Sequence, residues 1–334
     1  MSVSTDATVI ARRQGRIGRI TLNRPKALNA LDGAMIEGIA AALHAWRDDP
    51  AVHAVFMDAE GGRAFCAGGD VREIRRLALA GDAAAIEGFF TAEYALNLAI
   101  ARFPKPYIAL VDGICMGGGV GLSVHGTVRV ATENAVFAMP ETAIALFPDV
   151  GASYALPRLR GHWGMYLGLT GARLTGPEAV WAGFATHFIP RDRLPALLDA
   201  LIADGPAVLA GFAVPPPEGP AAGLDLTPFA APDVPAILAA LEGAGTEWAR
   251  ETLATLRQVS PSSLLWSFGL LRRGAGRTLE QCLEAELALT RHATRHPDFA
   301  EGIRAMLVDK DRTPRWHPAR IEDVDPADIE AALA

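Results

Sequence analysis

The stretch Asp112–Ala152 reads DGICMGGGVGLSVHGTVRVATENAVFAMPETAIALFPDVGA, and its interpretation decides the fold. Just ahead of it, the apolar, β-branched run Tyr107–Val111 reads as a buried strand. Met116-Gly117-Gly118-Gly119 follows, and then the apolar segment Val120–Val124, which starts a helix. Successive glycines at a strand-to-helix junction let a backbone come within touching distance of a ligand. They also leave the first amides of the helix unbonded, with the positive end of the helix dipole behind them. Further on, two acids stand in apolar company. They are Glu141 in MPET and Asp149 in FPDVG, among Phe137, Ala138, Met139, Ile144, Leu146 and Phe147. Carboxylates in such dry surroundings are expected to have raised pKa values, which suits acid and base work near neutral pH. Donors for a negative oxygen beside two poorly hydrated acids point to acyl chemistry.

A second glycine loop, GGRAFCAGGD (61–70), stands earlier, between a strand expected at Val52–Met57 and a charged helix at Val71–Leu79. Either loop alone reads as a tight turn. As a pair they say more, because each follows an apolar strand and opens a helix, so each can aim one amide at a common point. Two such donors make an oxyanion hole. Asp70, opening the helix after the first loop, reads as a cap. Nucleotide motifs do not fit: Leu122 and Val124 stand where the last glycine of G-x-G-x-x-G belongs, and no Walker pattern occurs. Gly121-Leu122-Ser123-Val124-His125 imitates a nucleophile elbow, but His125 replaces the closing glycine and reads as a packed core histidine. For Glu141 and Asp149 the competing reading is helix capping, since Pro140 favours a first-turn site and Asp149 precedes Val150-Gly151. Glu93, in mid-helix, taken alone reads as an ordinary surface acid. Arg24, Lys26, Arg72, Arg75 and Arg76 are the basic residues near the loops that could meet phosphate.

Along the rest of the chain, Thr8–Ile10 and Ile17–Leu22 flank Gln14-Gly15 as a hairpin. Asp32 is the expected N-cap of a helix to Trp46, with Met35, Ile39 and Leu43 at helical spacing. A longer helix over 83–102 carries Glu93-Tyr94-x-x-Asn97, and strands are expected at Val128–Ala131 and Val136–Ala138. Gly171–Gly183 reads as helix, Ala185–Ile189 as a short strand and Leu194–Ile202 as helix. Strands alternating with helices give an α/β core over residues 1–203. Residues 204–235 are rich in Pro, Ala and Gly and read as a link. Residues 236–334 read as mainly helical, with amphipathic stretches at Ile237–Leu256, Leu279–Arg295 and Phe299–Val308. No internal repeat is evident.

Half of the 334 residues are hydrophobic and the mean hydropathy is +0.20, enough for a sizeable core. No run reaches the roughly 18 apolar residues of a membrane span, so no membrane association is expected. The start, MSVSTDATVIARRQGR, lacks a signal core and transit character, so the cytoplasm is expected. Cys66, Cys115 and Cys282 have no zinc or redox spacing and read as free thiols, and no metal site is expected. A net charge of -7 and a pI near 5.6 argue against nucleic acid as a partner.

These segments together resemble the enoyl-CoA hydratase/isomerase (crotonase) superfamily, and within it the 3-hydroxyisobutyryl-CoA hydrolase branch. LNRPKALNAL (22–31), FCAGGD (65–70), PKPYIALVDGICMGGGVGLSVHG (104–126), RVATENAVFAMPET (129–142) and LFPDVGASYALPRL (146–159) match in order. LTGARLTG (169–176), GFATHFI (183–189), SPSSL (260–264) and DFAEGIRAMLVDKDRTPRW (298–316) continue the match. The resemblance implies a spiral of ββα units, a helical C-terminal region and an acyl-CoA substrate. It implies no separate cofactor, coenzyme A being part of the substrate, and a homo-oligomer, trimer or hexamer. It places the oxyanion amides at Gly69 and Gly118 and the acyl site at Glu93, Gly118, Glu141 and Asp149. Lys26, Ala27 and Leu28 would line the CoA path, the Ala67 carbonyl would meet the adenine, and Gly68 and Asp70 complete that loop. Two departures stand out. Hydratases carry a first catalytic glutamate after the glycine triplet, where this chain has Gly121, and this chain has Asp149 where they tend to have a small residue. Ala145 replaces a glycine usual in the branch. The expected activity is hydrolysis of a short β-hydroxyacyl-CoA. A crotonase-type hydratase or isomerase, and a CoA-binding protein without turnover, are the rival readings.

Overall fold

The structure, a computed structural model, describes residues 7–217, 219 and 223–334. Residues 1–6 of the expected core, and 218 and 220–222 of the expected link, lie outside the described residues. The hairpin forms as β1 (Val9–Gln14) and β2 (Ile17–Leu22), antiparallel from Val9 opposite Leu22 to Gln14 opposite Ile17. The helix α1 (Gly33–Arg47) starts where Asp32 accepts a bond from the Met35 amide at 2.9 Å. β3 (Ala54–Ala59) and a short β4 (Ala64–Cys66) precede α2 (Val71–Leu79) and α3 (Ala83–Ala101). β5 (Tyr107–Val111) is followed by a second short strand, β6 (Ile114–Met116), before α4 (Gly118–Val124). The glycine triplet therefore leaves β6 rather than β5. β7 (Val128–Ala131) and β8 (Val136–Ala138) stand as expected.

The second half of the chain departs more often. α5 (Ala152–Ala155) and α6 (Trp163–Thr170) come first. The expected helix over Gly171–Gly183 divides into β9 (Leu174–Thr175) and α7 (Gly176–Ala182). The division falls at Thr175, whose amide and hydroxyl both donate to Glu178, at 2.9 and 2.8 Å, in a capping box that fixes the helix start. β10 (His187–Phe188), α8 (Leu194–Asp204) and α9 (Leu209–Phe212) follow. The amphipathic stretch Ile237–Leu256 is two helices, α10 (Val234–Ala244) and α11 (Glu247–Gln258). Gly245, at φ +65, ends the first, and Thr246 caps the second. α12 (Pro261–Gly274), α13 (Leu279–Ala293), α14 (Pro297–Ile303) and α15 (Pro326–Leu333) complete the chain.

The chain divides into two compact units that interleave along the sequence. One holds the residues up to Gly69, Ala92–Ala138 and Arg173–Gly223. It carries both sheets: a six-stranded sheet in the order β1-β2-β3-β5-β7-β10 and a four-stranded sheet in the order β4-β6-β8-β9. Apart from β1 with β2 and β8 with β9, all pairs are parallel. Successive turns of chain place one strand in each sheet: β3 then β4, β5 then β6, β7 then β8. This is the spiral of ββα units. One face of the larger sheet presents Ile17, Phe56, Ile108 and Val130 to Leu197 and Leu201 of α8, forming a dry core. On the opposite face Tyr107 reaches α4, its hydroxyl donating to the Leu122 carbonyl at 3.0 Å.

The second unit holds Asp70–Thr91, Met139–Ala172 and Leu224–Ala334. It is helical, and α12 is its centre, packing on α5, α6, α13 and α15. α14 lies on α2 and on the 3₁₀ turn Glu141–Ile144. Among the described residues, no helix is long and apolar enough to cross a membrane.

In the first unit β2 passes close to α1. A Cβ on Gly18 would stand 2.6 and 2.7 Å from the Trp46 ring carbons Cδ2 and Cζ3. Gly18→Ala should therefore lower stability by about 1–3 kcal/mol, read as a lower urea midpoint at an unaltered slope. An unchanged midpoint would refute this packing.

Candidate active site

The first unit brings the two glycine loops together. After β2 the chain makes a 3₁₀ turn, Pro25–Ala27, and then holds Leu28 and Asn29 at φ +53 and +55. A left-handed leucine costs about 1 kcal/mol, and Asn29 offsets it. Wholly buried, its Oδ1 accepts from the Arg24 amide at 2.8 Å. Its Nδ2 donates to the carbonyls of Glu60 and Ala64, at 3.1 and 2.9 Å. The segment then runs beside the first glycine loop: the Ala67 amide donates to Leu28 O at 3.1 Å and the Leu31 amide to Gly68 O at 2.8 Å. Lys26, Ala27 and Leu28 are thereby neighbours of Ala67, Gly68 and Gly69, with Lys26 exposed.

The second loop packs backbone to backbone on the first. A Cβ on Gly119 would run into Cys66, whose Cβ would lie 2.9 Å away, so only glycine fits there. A Cβ on Gly68 would lie 3.9 Å from the Gly118 nitrogen. A Cβ on Gly118 would lie 3.3 Å from the Gly69 nitrogen and 3.0 Å from Leu31 Cδ1, and would collide with Glu93 Oε1. Gly69 and Gly118 therefore present adjacent peptide nitrogens. In the first turn of α4 the amides of Val120 and Gly121 donate to Gly117 O, at 2.8 and 3.2 Å, while the opening amide, that of Gly118, has no intrahelical acceptor. Such a pair of N–H groups can hold a developing oxyanion.

Glu93 lies on α3 and is 2% exposed, so it is not the surface acid its mid-helix position alone implied. Four residues on, Asn97 shares its helix face. Asn97 is wholly buried, and among the described residues its side-chain amide has no hydrogen-bond partner. The thiols beside this site are inert. Burial pushes Cys66 up to about 12, with the Glu93 charge adding to the shift, and burial also pushes Cys115 up. All three cysteines are free and buried.

Glu141 and Asp149 belong to the second unit and are 6% and 5% exposed. Glu141 opens the 3₁₀ turn, which Ala145 closes at φ +54, the left-handed position for which glycine is best suited. The Leu146 amide donates back to Glu141 O at 3.0 Å, the Thr142 hydroxyl donates to Leu169 O at 3.2 Å, and the Ser263 hydroxyl donates to Leu146 O. Asp149 is not the helix cap considered from its position, because Gly151 holds that place ahead of α5. Val150 and Gly151 follow Asp149 at φ +53 and +80. This turn is held by a residue the sequence did not single out. Glu286 on α13 is wholly buried and accepts from the Gly151 amide at 2.7 Å and from the Ser153 amide at 3.0 Å.

Asp70 occupies the cap position of α2 without a bond from its side chain to the helix amides. Of the basic candidates, Arg72 and Arg75 donate to the carbonyls of Leu307 and Ala300, at 2.7 and 2.9 Å. Arg76 pairs with Glu73, and Arg24 donates to Ala30 O at 3.0 Å. Lys26 is exposed beside the first loop, as is Arg63 within it.

The enoyl-CoA hydratase/isomerase family model matches residues 17–333. A mitochondrial 3-hydroxyisobutyryl-CoA hydrolase of Xenopus tropicalis is 45% identical, the match covering 96% of this chain and 86% of that protein. The Homo sapiens protein of the same name is 42% identical, over 98% and 89%. A crystal structure of a carnitinyl-CoA dehydratase from Mycobacterium thermoresistibile superposes with a TM-score of 0.94 at 40% identity, covering 98% and 97% of the two chains. One of an enoyl-CoA hydratase from Rhodobacter sphaeroides gives 0.91 at 43%, with the same coverage. The chain belongs to the enoyl-CoA hydratase/isomerase (crotonase) superfamily and, within it, groups with proteins named 3-hydroxyisobutyryl-CoA hydrolase.

Proposed function

We propose that the chain hydrolyses a short β-hydroxyacyl-CoA thioester, foremost 3-hydroxyisobutyryl-CoA, to 3-hydroxyisobutyrate and CoA, a step of valine breakdown. The names of relatives at 40–45% identity support this reading. The observation that carries it against hydration is Gly121. Hydration across a double bond asks for two carboxylates around one water, and Gly121, standing where hydratases carry the first glutamate, offers no side chain.

In the proposed reaction the thioester oxygen lies between the amides of Gly69 and Gly118. Glu141 attacks the thioester carbon, the C–S bond breaks, and CoA leaves as the thiolate, which is then protonated. Water hydrolyses the resulting mixed anhydride and returns Glu141 as a carboxylate. Alternatively Glu141 takes a proton from the attacking water directly. Asp149 holds the substrate hydroxyl or the water and moves the proton, and Glu93 supports the hydroxyl end. Lys26, Ala27 and Leu28 line the CoA path, with the Ala67 carbonyl at the adenine and Gly68 and Asp70 completing that loop. No metal or redox cofactor enters the scheme. A trimer or hexamer, and a cytoplasmic setting, complete the proposal, although the animal relatives are named as mitochondrial.

The hydratase reading keeps one point in its favour, the names of the two crystal structures. Assays with 3-hydroxyisobutyryl-CoA and with crotonyl-CoA, following free thiol, separate the two. Thiol release from the first substrate is expected, and rapid hydration of crotonyl-CoA without thiol release would overturn the proposal.

Glu141→Gln should slow thiol release by roughly a hundredfold or more. One turnover in heavy-oxygen water, with mass analysis of the Glu141 peptide, decides the chemistry: label in Glu141 marks the anhydride and its absence marks direct activation of water.

Gly118→Ala would drive a methyl group into the Glu93 carboxylate and crowd the Gly69 amide. A loss of about 10²–10³ in kcat is expected, the usual cost of one oxyanion donor. A variant within a factor of about two of the parent would remove Gly118 from the oxyanion site.

A further inference from the structure

We infer that Glu286 is a positioning residue of the reaction, fixing the backbone from Asp149 to Ser153 and so setting where the Asp149 carboxylate stands. The inference rests on the role proposed for Asp149. Four observations, all within the helical unit, carry it. Glu286 is wholly buried on α13, between the buried Leu283 and Leu289. Its carboxyl meets three donors of one short turn: the Gly151 amide at 2.7 Å, the Ser153 amide at 3.0 Å and the Ser153 hydroxyl at 2.5 Å. That turn contains Val150 at φ +53, an outlier for a β-branched side chain. The residue preceding Val150 is Asp149, itself 5% exposed.

A left-handed valine persists only where its surroundings over-determine it. Here the Gly151 and Ser153 amides are opening amides of α5, which the helix itself cannot satisfy. Glu286 satisfies both from another helix, and it does so two and four residues beyond the catalytic acid. A shift of about an ångström in a reacting group is enough to slow an enzyme a hundredfold.

The same carboxyl links the turn to pH. Burial pushes Glu286 up to about 8, the Asp149 charge adds to the rise, and the Ser153 hydroxyl and the two amides oppose it. Cys282, one helical turn earlier, is a titratable group it acts on, and Arg158 and Arg277 act on Cys282 as well. The buried face of α12 carries no charged side chain, Arg272 and Arg273 being exposed, and on α15 Asp328 and Glu330 are exposed. Below pH 8 the Glu286 carboxyl is mostly neutral. As pH rises through 8 it ionises and sets a second buried negative charge beside Asp149, so activity should fall on that alkaline limb.

The test compares Glu286→Ala, Glu286→Gln, Ser153→Ala and Asp149→Asn, each with kcat, KM and a pH profile on 3-hydroxyisobutyryl-CoA. Glu286→Ala should lose about 10- to 100-fold in kcat with KM little changed. Glu286→Gln keeps one acceptor oxygen for this turn, while its NH2 cannot accept from the second amide, so it should recover part of that rate and lack the limb near pH 8. Ser153→Ala removes a bond that holds the Glu286 pKa down, so it should move the limb to higher pH. It also supplies the answer if Glu286→Ala does not fold. Parental kcat in Glu286→Ala, a loss that Glu286→Gln does not recover, or an unmoved limb in Ser153→Ala would overturn the inference. Asp149→Asn at the parental rate would overturn the reading beneath it. An inactive Asp149→Asn beside parental Glu286 and Ser153 variants would defeat the positioning role alone.

Discussion

The close approach of two backbones, Gly119 on Cys66 and Gly118 beside Gly69, is the constraint on which the sheet-bearing unit depends. Two main chains can touch in this way only where at least one of them lacks a Cβ at the contact. The contact is possible because β4 and β6 are parallel neighbours in the smaller sheet, so the loops leaving them emerge side by side. Each loop then continues into a helix, α2 after the first and α4 after the second. The spiral of ββα units is thus a device for repeating one exit geometry. Adjacent repeats deliver adjacent peptide nitrogens, and the paired donors follow from the topology rather than from any side chain.

Among the described residues six other than glycine hold positive φ, and four of them stand next to candidate site residues. Leu28 and Asn29 precede the first glycine loop, Ala145 closes the Glu141 turn, and Val150 follows Asp149, all with positive φ. Each such residue costs on the order of 1–3 kcal/mol, and in three cases a wholly buried polar side chain lies nearby to offset it. Asn29 binds the amide and carbonyls around its own turn, Ser263 bonds to the carbonyl of Leu146, and Glu286 binds the amides after Val150. Strain held by buried polar bonds is stiff, because breaking any one bond leaves an unsatisfied group costing about 1–3 kcal/mol.

How far this could be read from the sequence follows from the range of the interactions. The hairpin at Gln14-Gly15, the Asp32 cap and the strand Tyr107–Val111 are set by neighbours within a few residues, and each stands where its pattern put it. The glycine pair was legible for the same reason, since each loop carries its own turn chemistry. β4 and β6 were not, because three-residue strands have too little period to detect and are fixed by pairing with each other. Thr175 and Gly245 broke two expected helices with local signals that the apolar periodicity masked. Glu93 looked exposed in mid-helix, and only tertiary packing buries it. Glu286 left no local trace at all: it acts on residues more than a hundred positions away, and its type and spacing suit an ordinary surface helix.

The distribution of burial also bears on which group can attack a thioester. Cys66 is close to the paired amides and chemically the softer nucleophile, yet at a pKa of about 12 roughly one thiol in 100,000 is ionised at neutral pH. Burial raises a carboxylate as well, as Glu286 shows, but a carboxylate begins about four units lower and so reaches its anion at a pH where the thiol does not. Cys66 is therefore a packing residue beside the paired amides, and attack on a thioester held there falls to another group.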